Sequence, residues 1–368
     1  STGSLNFMII GFCMGLCSGF AIPVAQKFGA KDFCGMRQFV FNSAVLGGIF
    51  AIVLTAVTVI FCKPLLVLLK TPADVVDGAY DYFVVILAGI PVVILYDLLS
   101  GIIRAVGDSK TPLYFLIFSA VLNIILDLIF IACFGWGIPG AAYATVISQG
   151  IAGIICFFYM HRKFEILRLN KEDRIFSSRR SLSLLGTGVP MGLQYSITAI
   201  GSVILQAAVN VLGSVYVASI ATGAKINIFF ATPFDALGTT MATYGGQNVG
   251  AGRTERLNSG LFSACIIGFI YSAFAFVVMF FGSEALTNLF MNKNEAPEVV
   301  ELVCKNVRMF LLVNSACYVL LVLVNVVRFM IQGMGFSTVA VFAGAFELVG
   351  RGVIGVIFIP MFGFAAAC

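Results

Sequence analysis

Runs of about 20 apolar residues follow one another along the whole chain, separated by short polar breaks. A run of that length is what one helix needs to cross a bilayer. Backbone polar groups in lipid must be satisfied within the span, which leaves helices or closed barrels. Barrel strands would be shorter and would alternate apolar with polar residues. The expected fold class is an all-α polytopic membrane protein. Composition removes the soluble alternative. Of 368 residues, 60% are hydrophobic and 11% are charged, and the mean hydropathy is +1.04. A soluble domain carries about 25% charged residues. A water-soluble fold of this length could not hide so much apolar surface.

Ten spans are expected, near residues 4–26, 38–61, 80–104, 112–135, 139–160, 182–212, 215–243, 258–281, 307–331 and 337–363. The breaks between them alternate in charge. One set holds Lys27, Lys31, Arg37, Arg104, Lys110, Arg162, Lys163, Arg168, Lys171, Arg174, Arg179, Arg180, Arg253, Arg256 and Arg328. The other holds Lys63, Lys70, Lys293, Lys305 and Arg308, or 5 cations against 15. The positive-inside rule places the richer set in the cytoplasm. Both chain ends then lie outside. The segment from His161 to Arg180 is the longest polar stretch and reads as a cytoplasmic linker. The expected organisation is an N-terminal lobe over 1–163, a linker over 164–180 and a C-terminal lobe over 181–368, each lobe with five spans.

Several function classes drop out. His161 is the only histidine, which excludes multi-histidine metal sites. Cys13 and Cys17 lie four apart on one helical face, as a ligand pair or as small packing residues. No CxxC or Cys/His cluster and no disulfide framework appears among the 10 cysteines. The net charge of +5 reflects basic cytoplasmic loops, with no basic-aromatic patch for nucleic acid. No Asp-rich diphosphate motif, HExxH or GxSxG is present, which argues against a membrane-embedded enzyme.

The chain also repeats itself. Gln26-Lys27-Phe28-Gly29-Ala30 and Gln247-Asn248-Val249-Gly250-Ala251 share the pattern Q-x-x-G-A at an offset of 221. Gly107, Ser109, Phe134 and Gly135 match Gly335, Ser337, Phe362 and Gly363 at an offset of 228. Six crossings separate equivalent points, an even number, so the two copies share one orientation. Parallel repeats of this kind occur in transporters, related by an axis along the membrane normal. Span 182–212 has no partner before Ser1, and span 139–160 has none after Cys368. A complete unit would hold six spans, so the expectation is ten spans of twelve.

With these elements in this order the sequence resembles the multidrug and toxic compound extrusion (MATE) family. The resemblance runs through the Q-x-x-G-A elements and the run from Arg104 to Pro112 (RAVGDSKTP). It continues through Leu122–Asp127 (LNIILD) and Gly137–Thr145 (GIPGAAYAT) to Glu347 and Arg351, an E-x-x-x-R pair. It implies two helical lobes around a central cavity. It also implies export of amphipathic, often cationic, organic compounds in exchange for Na⁺ or H⁺, by a monomer in the bacterial inner membrane without a bound cofactor. The absent spans would be the family's first and last.

Charges inside a membrane helix are functional candidates by default. Here they are Asp97, Asp127, Lys225, Asp235, Glu347 and Arg351. Asn123 and Asp127 lie four apart on one helical face. A carboxylate and an amide carbonyl are hard oxygen ligands suited to Na⁺, and a carboxylate in a low-dielectric pocket takes up protons more readily. The bland alternative is an Asn–Asp pair bonding two helices together. The family resemblance implies an N-terminal coupling site of an Asn and an Asp on this helix with a Thr on the next, at Thr145, completed by an Asp of the absent first helix. One branch of the family carries acids on the helices matching 182–212 and 307–331. Here those spans have none, and Gln194 and Gln206 are the strongest polar groups in the first. Glu347 and Arg351 are spaced for an i,i+4 ion pair. Lys225 and Asp235 stand about 15 Å apart along one helix and are not expected to pair. Asp97 is placed to bridge to Arg104, two turns on. Pro190 and Pro233 remove backbone donors within spans and are hinge candidates or passive kinks. A lipid-linked precursor flippase of the same wider superfamily is the competing reading. It would want several cavity arginines, and Arg351 alone lies away from a membrane edge.

Overall fold

The computed structural model describes residues 2–68, 73–290 and 297–367. Lys70 and Lys293, counted above on the cation-poor side, lie outside them. Among the described residues no strand occurs. The helices are α1 (Thr2–Gly29), α2 (Phe33–Ile60), α3 (Cys62–Leu68), α4 (Ala73–Ala88), α5 (Ile90–Ala105), α6 (Lys110–Asp127) and α7 (Gly137–Lys163). They continue with α8 (Ser178–Asn210), α9 (Ser214–Gly250), α10 (Glu255–Asn288), α11 (Pro297–Ala316), α12 (Tyr318–Gly333), α13 (Ser337–Val353) and α14 (Ile359–Phe362). Eight helical segments are long and apolar enough to span a bilayer on their own. Two more spans arise as bent pairs, α4 with α5 at 44° and α11 with α12 at 47°. The ten expected spans therefore exist as apolar helices, and the third and ninth are broken.

The break is the same in both copies. At Gly89 the N–H bonds the carbonyls of Val85 and Ile86, and its carbonyl accepts from Val92 and Val93. At Cys317 the N–H bonds Val313 and Asn314, and the carbonyl accepts from Leu320 and Leu321. Every partner is shifted by the repeat offset of 228. Pro91 removes one donor just after the first break, but Val319 stands at the matching place after the second. The bend thus survives without a proline.

Other repeat positions carry matching backbone. Gly107 and Gly335 have φ of +97° and +101°, and Gly135 and Gly363 have +67° and +65°. Such left-handed residues cost glycine little. At the ends of α1 and α9, Ala30, Lys31 and Asp32 donate to Gln26, Phe28 and Lys27, while Ala251, Gly252 and Arg253 donate to Gln247, Val249 and Asn248. This is the left-handed cap that satisfies the last carbonyls of a helix. Gly252 takes φ +70° there, and Lys31 takes +57° with no glycine to ease it. Each copy also ends a helix in a π-helical turn, Leu128–Cys133 after α6 and Ile354–Phe358 after α13.

The chain forms two compact units. The first comprises Ser1–Ser196, Gly246–Arg253 and Met334–Val341, and the second Ile197–Gly245, Thr254–Gly333 and Phe342–Cys368. In the first, α1 and α8 meet through glycine. A methyl on Gly15 would stand 2.5 Å from the Met191 carbonyl, and one on Gly19 would strike the backbone at Gly188. Gly188 and Gly192 receive Phe20 and Phe12 in return. Small residues that admit close backbone approach are how membrane helices gain packing energy without a hydrophobic drive. The two Q-x-x-G-A motifs, both in this unit, pack on one another. A methyl on Gly29 would collide with the Gln247 carbonyl, and one on Gly250 with the Gln26 carbonyl. Gln247 also donates to the Ala105 carbonyl at 2.9 Å. Cys13 and Cys17 are fully buried, with Cys17 against the Ile94 carbonyl, and serve as packing residues.

The linker belongs to the first unit and is anchored on α2. Asn42, fully buried, donates to the Ile175 carbonyl at 3.0 Å and accepts from the Ser177 N–H at 2.9 Å and the Ser181 hydroxyl at 3.3 Å. Asp173, also buried, pairs with Arg37 at 2.6 Å and accepts the Asn170 N–H. Burial alone would raise the Asp173 carboxyl, but the Arg37 and Asn170 hydrogen bonds hold it below its ordinary value. In the second unit, Phe234 packs edge-on to Tyr271 and Tyr318, and the Tyr318 hydroxyl donates to Asn227 at 2.7 Å. Gly238 and Gly268 admit Phe329 and Val322.

Candidate cation site and the intramembrane charges

Asn123 and Asp127 occupy one face of α6, and the helix passes into its π turn at the residue after Asp127. Single π turns of this kind cluster at functional sites. Thr145, on the neighbouring α7, receives a hydrogen bond from the Asn123 amide at 3.4 Å. The threonine hydroxyl donates to the Ala141 carbonyl at 3.0 Å, which leaves one of its two lone pairs available. All three side chains are half-buried, and Asp127 Oδ1 is shut off from solvent without a hydrogen-bond partner. A buried polar atom with no partner normally costs about 1–3 kcal/mol. Three oxygen-bearing side chains with one carboxylate fit a monovalent cation or a proton. Among the described residues no group of three or more His, Cys, Asp or Glu side chains comes together, so a carboxylate-rich divalent site has no support there.

The remaining charges resolve separately. Glu347 and Arg351 form the expected ion pair at 2.7 Å, and Arg351 also donates to the Ser202 hydroxyl at 2.8 Å. Asp235 accepts from Asn325 at 3.2 Å, and Asn325 in turn accepts from Arg328 at 2.7 Å. Asn325 was invisible in the sequence as a partner, because it lies 90 residues from Asp235. Lys225 is exposed on α9 and makes no hydrogen bond or ion pair among the described residues. Asp97 does not bridge to Arg104 as expected. Arg104 donates to Ser100, one turn away, at 3.1 Å, and Asp97 Oδ2 is buried without a partner. Two turns put the pair about 10 Å apart along the axis, beyond reach once the arginine bends back to Ser100. Pro190 and Pro233 lie inside α8 and α9, which remain single helices through them.

The fold defines a polytopic helical membrane protein built on an internal parallel repeat. The chain belongs to the MatE family, whose model matches residues 1–129 and 190–361. It is 32% identical over 260 residues to the probable multidrug resistance protein YpnP of Bacillus subtilis, covering 70% of this chain and 57% of that one. It is 27% identical over 298 residues to the probable multidrug resistance protein YoeA of the same organism, covering 79% of this chain and 64% of the other. The chain thus spans less than two thirds of the length of these curated relatives. A MOP superfamily transporter from Pyrococcus furiosus superposes with a TM-score of 0.90 at 22% identity, over 98% of this chain and 79% of that structure. The fold is shared with it. Family membership makes the chain a multi-pass protein of the inner membrane.

Proposed function

We propose that this protein is a secondary active transporter that exports amphipathic, often cationic, organic compounds in exchange for Na⁺ or H⁺ by alternating access. The observation that carries the reading is the half-buried Asn123–Thr145 contact with the unpartnered Asp127 oxygen beside it. These residues share α6 and α7 of a chain whose relatives YpnP and YoeA are described as probable multidrug resistance proteins. A cation or proton at Asp127 would satisfy the orphaned oxygen, and it drives transport to the extent that it binds one access state more tightly than the other. Na⁺ would take Asp127 and Asn123 oxygens, with Thr145 as a further donor. The flippase reading loses support because Glu347 neutralises Arg351, its one mid-span arginine.

The test is efflux of a cationic dye from membrane vesicles carrying the protein under imposed Na⁺ or pH gradients. Asp127→Asn is expected to abolish gradient-driven efflux with expression unchanged. Efflux retained at the wild-type rate would overturn the assignment, and transport of a lipid pyrophosphate in place of the dye would favour the flippase.

A further inference from the structure

We propose that the groove between the cytoplasmic ends of α6 and α7 binds an anionic glycerophospholipid of the inner leaflet. The groove has a volume of about 500 Å³ and is lined by Phe115, Ile155, Phe158, Tyr159, Arg162 and Lys163. Its two parts differ in chemistry. Ile155 and Phe158 on α7 are 37% and 56% exposed, and on α6 Tyr114, Ile117 and Phe118 are exposed as well. Such a face is at home against acyl chains. At the mouth stand two cations. The Arg162 guanidinium is exposed and makes no hydrogen bond or ion pair among the described residues. The Lys163 ammonium donates to the Tyr159 hydroxyl, which also shares a hydrogen bond with Thr111 at 3.1 Å. That pair of contacts holds the ammonium over the groove.

Charge complementarity selects the occupant. The Asp108 carboxylate is nearby in the loop before α6, but it is engaged by the Thr111 N–H at 3.0 Å and hydroxyl at 2.6 Å. Lys110 adjoins it in sequence, so the mouth keeps a net positive charge. The charge pattern of the loops puts this end of α6 and α7 in the cytoplasm, where basic pockets between transmembrane helices take phosphate head groups. An amphiphile with a phosphodiester head and apolar tails matches both halves of the groove. A zwitterionic lipid would bring an ammonium of its own to the two cations.

The experiment is native mass spectrometry of the protein released from mild detergent in equimolar phosphatidylglycerol and phosphatidylcholine. Phosphatidylglycerol should be retained preferentially. Each nearby basic residue contributes about a fivefold factor to binding at a membrane surface. Arg162→Gln and Lys163→Gln should therefore each lower phosphatidylglycerol retention about fivefold and leave phosphatidylcholine unchanged. In the Lys163→Gln variant the new side-chain amide keeps a donor for the Tyr159 hydroxyl. If Lys163→Gln fails to fold, Arg162→Gln alone changes an exposed side chain and supplies the same comparison. Equal retention of the two lipids by the wild type, or undiminished phosphatidylglycerol on both variants, would overturn the proposal. So would shielding of a Phe158→Cys thiol from maleimide in lipid-free detergent, which would mean that protein fills the groove.

Discussion

Lys31 and Gly252 are the same residue of the repeat, and they meet the same demand differently. Both close a helix with a left-handed backbone. For an L side chain this costs roughly 1–2 kcal/mol, which glycine avoids. Lys31→Gly should raise stability, by up to about 1 kcal/mol after the added freedom of the unfolded chain is deducted. Gly252→Ala should lower it, and thermal unfolding in detergent reads both. At Asp173 the prediction concerns pH. Its folded carboxyl lies below the ordinary value, so its stabilising contribution is complete above the unfolded pKa, about 3.9. The contribution is lost as pH falls through the lowered folded value. Amide protection factors over 164–180 should be high at neutral pH and fall below about pH 4, and Asp173→Asn should show the lowered protection at neutral pH. None of this could be read from the sequence. Asp173 looked like one more charge in a polar linker, and Arg37 like one more cytoplasmic cation. Their pairing spans 136 residues.

At the scale of elements, hydropathy located the spans well because lipid enforces continuous helix, and the structure finds apolar helices at all ten. It did not reveal that two are bent, since a break of one residue barely disturbs an apolar window. The hinge candidates were Pro190 and Pro233, yet α8 and α9 run through both, while the breaks fall at Gly89 and Cys317. The shared hydrogen-bond pattern at Gly89 and Cys317 implies that packing, and not proline, sets the angle. Pro91→Ala should leave the 44° bend in place, measured by spin-label distances between α4 and α5. Asn123 and Thr145 were brought together as the family resemblance implied, and that signal was an i,i+4 spacing on one helix plus a match on the next. Asp97 misled for the opposite reason. Seven residues share a face but stand two turns apart, and a serine one turn away offered Arg104 a nearer partner.

At the scale of the molecule, the repeat proved deeper than its sequence matches. A handful of shared residues mark it, yet bends, left-handed turns and π turns recur in register. Backbone geometry is what the two copies keep, and side chains are where they differ: at the offset of 228, Asn123 and Asp127 on α6 correspond to Arg351 and Gly355, so the second copy carries no acid at that depth, and its nearest one, Glu347, is paired with Arg351. Energy coupling on this reading is lodged in one copy. Substitution of Glu347 with Gln should therefore leave the choice of coupling ion unchanged in vesicle efflux while lowering stability, whereas Asp127→Asn removes coupling altogether.

Gly29 and Gly250 give that history a constraint. Each lies against the glutamine carbonyl of the other's motif, so a methyl at either position forces both backbones apart, at about 1–3 kcal/mol by the usual toll of overpacking. Gly29→Ala and Gly250→Ala should lower the unfolding temperature alike, and the double variant by less than the sum. Two sites 221 positions apart thus behave towards selection as a single locus. A side chain at either position is decided by the backbone of the other copy.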